Sequence, residues 1–193
     1  MKSATPLRFI FAGSVLLAFP ALVQAHSGHG PLEGLIAGCA HPVMGWDHLL
    51  AFIAVGLWAA QLGGRARWMV PAAFLAVMAC GAAATGNATV PAITQPMIFS
   101  SLLVIGLLVA AAVRLPLIAS AMIVAVFAFF HGSAHGAGIS VSAEGGAYAA
   151  GFVLVSALLL ATGRTLGARS QPASAVITRV VGAAVALTGL AFL

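Results

Sequence analysis

The chain has 193 residues, of which 62% are hydrophobic and only 6% charged, and its mean hydropathy is +1.14. Apolar runs near the roughly 20 residues that a helix needs to cross a bilayer recur along it, which excludes an ordinary soluble domain and predicts an all-α, polytopic membrane bundle. Eight basic residues against three acidic ones leave a net charge of +5, but the basic residues are scattered singly, so the balance reflects scarce acids and not a nucleic-acid-binding patch.

The first element is a predicted signal peptide, residues 1–25. Lys2 and Arg8 form its charged region, and Phe9 to Val23 its short apolar region. Val23-Gln24-Ala25 places small residues where a signal peptidase reads them. The mature chain, 26–193, then begins His26-Ser27-Gly28-His29-Gly30. An α-amine beside an imidazole can chelate a metal ion, with His29 assisting His26.

Six apolar segments follow, each read as a membrane span. They run from about Leu32 to Gln61, Trp68 to Thr85, Pro96 to Val113, Leu115 to His131, Gly146 to Thr162, and Ala173 to Leu193. The first is long for one span, and Pro42 is expected to kink it. Gly81, Ala84, Gly182 and Ala183 suit close helix approach in lipid, where packing drives association. Cys39 and Cys80 are read as small buried residues, and Trp46, Trp58 and Trp68 as packing or interfacial anchors. Glu33 and Glu144 are read as solvated charges at a membrane edge.

Arginine placement orients the bundle. Arg65 and Arg67 fall between spans one and two, Arg114 between three and four, and Arg164 and Arg169 between five and six. Arg179 lies within span six, from which it can snorkel back. The connections 86–95 and 136–145 contain no Lys or Arg. All basic connections thus share one side, which the positive-inside rule makes cytoplasmic. Both mature termini are then periplasmic, in a bacterial inner membrane.

Two short stretches carry the chemistry. His41-Pro42-Val43-Met44-Gly45-Trp46-Asp47-His48 puts two imidazoles and a carboxylate inside an apolar segment, and His131-Gly132-Ser133-Ala134-His135-Gly136 closes another. Ionisable groups in lipid are costly and must face a partner, a cavity or an ion. His41 and His48 are two helical turns apart and expected on one face, as are His131 and His135, one turn apart. Both pairs fall in the periplasmic half, and they can meet only if spans one and four are neighbours. Neutral imidazole suits nickel, cobalt, zinc or copper(II), and Asp47 would offset the ion's charge. Calcium or magnesium would want more oxygen ligands than so few acids supply.

On these residues the chain resembles the HupE/UreJ family of membrane proteins associated with hydrogenase and urease accessory genes. The matching patterns are His41-Pro42-x-x-Gly45-x-Asp47-His48-Leu49-Leu50 and Phe130-His131-Gly132-x-Ala134-His135-Gly136. The resemblance extends over essentially the whole mature chain. It implies uptake of nickel, or cobalt, across the inner membrane as substrate, with hydrogenase or urease maturation machinery as partner. The chain departs from the family pattern at Gln95, Gly138 and Leu160, where family members carry acids or a histidine.

Three functions compete at this stage. A divalent-metal permease would bind its ion at His41, Asp47, His48, His131 and His135. It would run without ATP, since no phosphate-binding Gly-x-x-x-x-Gly-Lys-Ser/Thr loop is present. A zinc-dependent intramembrane hydrolase would use the same ligands to activate water. A non-transporting accessory protein would use them to sense metal. The scarcity of acids disfavours the enzyme.

Overall fold

The computed structural model describes residues 30–86, 88–136, 142–168 and 172–193. The predicted signal peptide, and with it His26 and His29, lies outside the described residues, as does Gly138. Among the described residues there are seven helices, in chain order: α1 (Pro31–Met44), α2 (Trp46–Leu62), α3 (Ala66–Thr85), α4 (Thr94–Ala110), α5 (Leu117–Gly136), α6 (Ala143–Gly167) and α7 (Pro172–Ala191). Among the described residues there is no strand. Helices α3, α5, α6 and α7 are each long and apolar enough to cross a membrane. Helices α1 and α2 pass that test as a bent pair, and α4 is a shorter apolar helix.

Helix ends follow local chemistry. Pro31 opens α1, where a missing N–H costs nothing, and Glu33 complements the positive end of the helix dipole. Gly63, with φ of 71°, stops α2 as a glycine past a helix end commonly does. Ser142 caps α6, its Oγ accepting from Gly145 N at 3.1 Å.

The first span differs from its predicted form. Its break falls at Gly45 and not at Pro42, which lies buried within α1. The two halves meet at an angle of 75°. His41 therefore ends one helix and His48 begins the next, so the expected single face spanning both does not exist. Helix α5 in turn runs past His131 to include His135 and Gly136, and α6 extends beyond both predicted limits of its span.

Glycines mark the seams, because a side chain there would strike the opposing backbone. Gly34 lies against Glu144 and Gly38 against Tyr148, and farther along Gly163 lies against Ile53 and Gly167 against Leu57. Residue numbers rise together, so α6 runs parallel to both α1 and α2. In the same way Gly132 lies against Met78 and Gly136 against Ala82, making α3 and α5 parallel. A β-carbon on Gly182 would come within 2.6 Å of Ala110 N, and Gly189 lies against Leu103, making α4 and α7 antiparallel. Gly81 and Gly182 thus fill the role expected of them, whereas Ala84 and Ala183 face outward.

Other side chains refine the expectations. Trp58 is fully buried and donates from Nε1 to Val113 O at 2.9 Å. Trp46 instead stacks on Phe99 near the surface. Cys39 is half-buried and Cys80 exposed, both free, so neither is the buried residue expected. Arg179 donates from Nε to Ala110 O at 2.7 Å, at the carbonyl end of α4. Glu33 and Glu144 are half-buried where α1 and α6 begin, not fully solvated.

Candidate metal-binding site

Gly45 makes the site possible. A β-carbon on it would come within 3.2 Å of Asp47 Oδ1 and 3.3 Å of His48 Nδ1. Without one, both groups fold back over the break. Asp47 then sits in the first turn of α2, where the positive end of the helix favours its charge. Its Oδ1 accepts from the His48 backbone N–H at 2.9 Å and faces His48 Nδ1 at 2.7 Å. A carboxylate can only accept, so His48 carries its ring proton on Nδ1. Its Nε2 lone pair is left pointing into the bundle.

That lone pair meets α5. His48 Nε2 and His135 Nε2 are 2.6 Å apart. His131 lies edge-on to His48 with ring centroids 4.8 Å apart, and His41 lies edge-on to His135 at 4.5 Å. The structure therefore brings all four membrane histidines together with Asp47. It does so without packing the spans as direct neighbours: α1 and α2 lie along α6, α5 lies along α3, and the imidazoles reach across.

A second tautomer follows from Ser101, which sequence reasoning missed. Its hydroxyl donates its one proton to Ile98 O at 2.6 Å, so its oxygen can only accept from His131 Nε2, 3.1 Å away. His131 is fully buried, and its Nδ1 has no hydrogen-bond partner. That nitrogen is a bare lone pair in a closed interior, a costly arrangement unless something binds it. Among the described residues, no three His, Cys, Asp or Glu side chains are already arranged to hold one ion. The rings are instead held by each other, by Asp47 and by Ser101.

Aromatic rings surround the cluster and were not singled out in the sequence. Phe52, one turn beyond His48, and Phe74 from α3 flank His131 at centroid distances of 5.5 and 5.8 Å. Phe152 from α6 lies 4.6 Å from His135. Beyond Phe52 and Phe74, toward the arginine-bearing end, Val55, Trp58, Val70, Leu102 and Val109 are packed and closed to solvent. On the opposite side a cavity of about 680 Å³ reaches His135, bordered by Gly136, Ser142, Ala82 and Phe152. His135 thus borders a cavity at the end where α6 begins, with a closed interior on the other side. Leu160 belongs to that packing and is 1% exposed. Gln95 is exposed near the start of α4.

Comparison with known proteins agrees with the two motifs. The family model described as HupE / UreJ protein matches residues 14–192. Protein HupE of Rhizobium leguminosarum bv. viciae is 40% identical over 183 residues, covering 92% of this chain and 93% of that protein. No solved structure matches. With a family match across nearly the whole chain and helices built to cross a membrane, the protein belongs to the HupE/UreJ family of membrane proteins.

Proposed function

We propose that this protein is an inner-membrane permease for a divalent transition-metal ion, nickel or cobalt, which it supplies to hydrogenase or urease maturation machinery. The single observation that carries this reading is the cluster of four imidazoles at the break between α1 and α2, with lone pairs of His48 and His131 turned inward. Helices broken at mid-span are where transporters place ion sites, because freed backbone and helix termini there meet an ion in lipid. Asp47 acts through His48: a carboxylate behind a ligating imidazole fixes its tautomer and raises its basicity. It also supplies negative charge against a divalent cation. His41, His48, His131 and His135 are the ligands, and small ring rotations replace their mutual hydrogen bonds with bonds to the ion.

The cavity reaching His135 serves as entry, and the Phe52–Phe74 layer as the closed gate. An ion passes only when that layer opens, so the described state faces outward. An inward-negative potential favours entry of a divalent ion by about 4.6 kcal/mol per 100 mV, twice the unit-charge value. A hydrolase would need a carboxylate free to take a proton from water. Asp47 is already engaged by two N–H groups of His48, which favours transport.

His135→Ala opens the ring pair without touching Asp47. Cells expressing it should accumulate nickel and cobalt at the level of cells lacking the protein, with membrane abundance unchanged. Uptake equal to that of the unaltered chain would remove the histidine cluster from the pathway.

Six crossings, with α1 and α2 as one and α4 as a short one, are part of this reading. Alternate crossings require the first and fifth to be parallel, the second and fourth parallel, and the third and sixth antiparallel. Those are the directions of the three glycine seams. A reporter active only in the periplasm, fused after Leu193, should be active. Activity there from a reporter that works only in the cytoplasm would contradict the topology.

A further inference from the structure

At the arginine-bearing end, away from the histidines, two cations lie close to the indole of Trp68 in α3. The Arg164 guanidinium carbon sits 3.6 Å from the centre of the indole, and that of Arg67 sits 5.4 Å away. The two charges are no farther apart than the sum of those distances. Neither has a carboxylate partner, for the one ion pair among the described residues joins His48 and Asp47. Arg164 is half-buried, and its Nη1 is wholly buried without a hydrogen-bond partner. Two neighbouring cations with an unsatisfied buried donor are unfavourable unless an anion joins them.

Immediately beside them a groove of about 200 Å³ separates α3 from α6, floored by Pro71, Ala72, Leu75, Ala157 and Ala161. Both helices are long and apolar enough to cross a membrane, so the groove faces lipid. We infer that this groove is a binding site for one anionic phospholipid, its phosphate held by Arg164 and Arg67 and its acyl chain lying between α3 and α6. Stacking on Trp68 fixes the plane of the Arg164 guanidinium, and a fixed guanidinium fork matches two phosphate oxygens at once. The apolar floor selects a lipid over a free phosphate. The lack of a carboxylate nearby selects an anionic headgroup over a zwitterionic one, whose ammonium would find only like charge. Basic pockets between membrane helices on the cytoplasmic side bind anionic headgroups by this physics.

The test uses the full chain, purified in detergent and stripped of lipid. Dioleoylphosphatidylglycerol, dioleoylphosphatidylcholine and inorganic phosphate are added separately, and bound molecules are counted by native mass spectrometry. The unaltered protein should retain one phosphatidylglycerol in preference to phosphatidylcholine. Arg164→Gln should weaken that retention by at least about tenfold, as expected for loss of charge-assisted bonds. Arg114→Gln, an exposed arginine at the same end but outside the groove, should leave it unchanged. Arg67 is exposed, so Arg67→Gln supplies a second foldable variant, with weakening in the same direction. Equal retention of both lipids overturns the site, as does phosphatidylglycerol binding that survives both Arg164→Gln and Arg67→Gln. Inorganic phosphate that competes as strongly as the lipid would make the ligand a soluble anion and overturn the lipid assignment.

Discussion

Cells carrying Asp47→Asn are expected to lose nickel and cobalt accumulation, falling to the level of cells without the protein at equal membrane abundance. The substitution keeps the size of the side chain and its place over Gly45. It removes the negative charge, and its amide can turn an N–H toward His48 Nδ1, which would drive the ring proton onto Nε2 and block the inward lone pair. Loss of a carboxylate behind a ligating histidine costs about 10–100-fold in metal affinity. The loss should be greater here, because the nearby interior is closed to solvent and Asp47 is the cluster's only carboxylate among the described contacts. Combining Asp47→Asn with His48→Ala should cost little beyond either alone, since the two act as one unit. Glu144→Gln, at the start of α6, should have a much smaller effect. Normal accumulation by Asp47→Asn would rule out this site as the transport site.

The second large effect concerns the seam that carries half of the cluster. Gly132→Val should yield a protein that is poorly folded or much less stable in detergent, read as a lower thermal unfolding midpoint and reduced recovery. Even the first carbon of the new side chain would collide with Met78 O and crowd Ala82 N. These are backbone atoms of a helix and cannot swing aside. Overpacking a tight interior costs about 1–3 kcal/mol and sometimes more, and here it pushes α5, with His131 and His135, away from α3. Gly146→Ala provides the contrast. Nothing lies within 4 Å of a β-carbon at that position, so stability should hold or rise by about 0.5–1 kcal/mol. Equal stability of the two variants would mean that α3 and α5 do not meet at Gly132.

The helical class and the two histidine-bearing stretches were legible in the sequence because lipid imposes strong rules. Apolar runs must be helices when no water can satisfy the backbone, and an imidazole or carboxylate within such a run stands out by its cost. The membrane arginines could be sorted to one end for the same reason, and the Arg179 bond to Ala110 fits that sorting. Membership in the HupE/UreJ family was likewise carried by His41 to Leu50 and Phe130 to Gly136, which are contiguous in the chain.

Packing settled the points on which an apolar sequence is silent. A membrane helix is apolar on its lipid face and its packed face alike, so no periodicity separates them. Phe52 and Phe129 are equivalent in the sequence, yet Phe52 is 0% exposed against the histidines and Phe129 is 38% exposed. The break at Gly45 was hidden for a related reason. Pro42 carries the familiar signal for a kink, but the position of the break depends on Asp47 and His48 folding over a residue with no side chain. Ser101 and the tautomer it sets on His131 depend on contact between α4 and α5, thirty positions apart. Four imidazoles and one carboxylate stood out within apolar runs of the chain, because the cost of an ionisable group there is local. The packing of α1 and α2 along α6, and of α5 along α3, decided that they meet, because that depends on which small residues let which backbones touch.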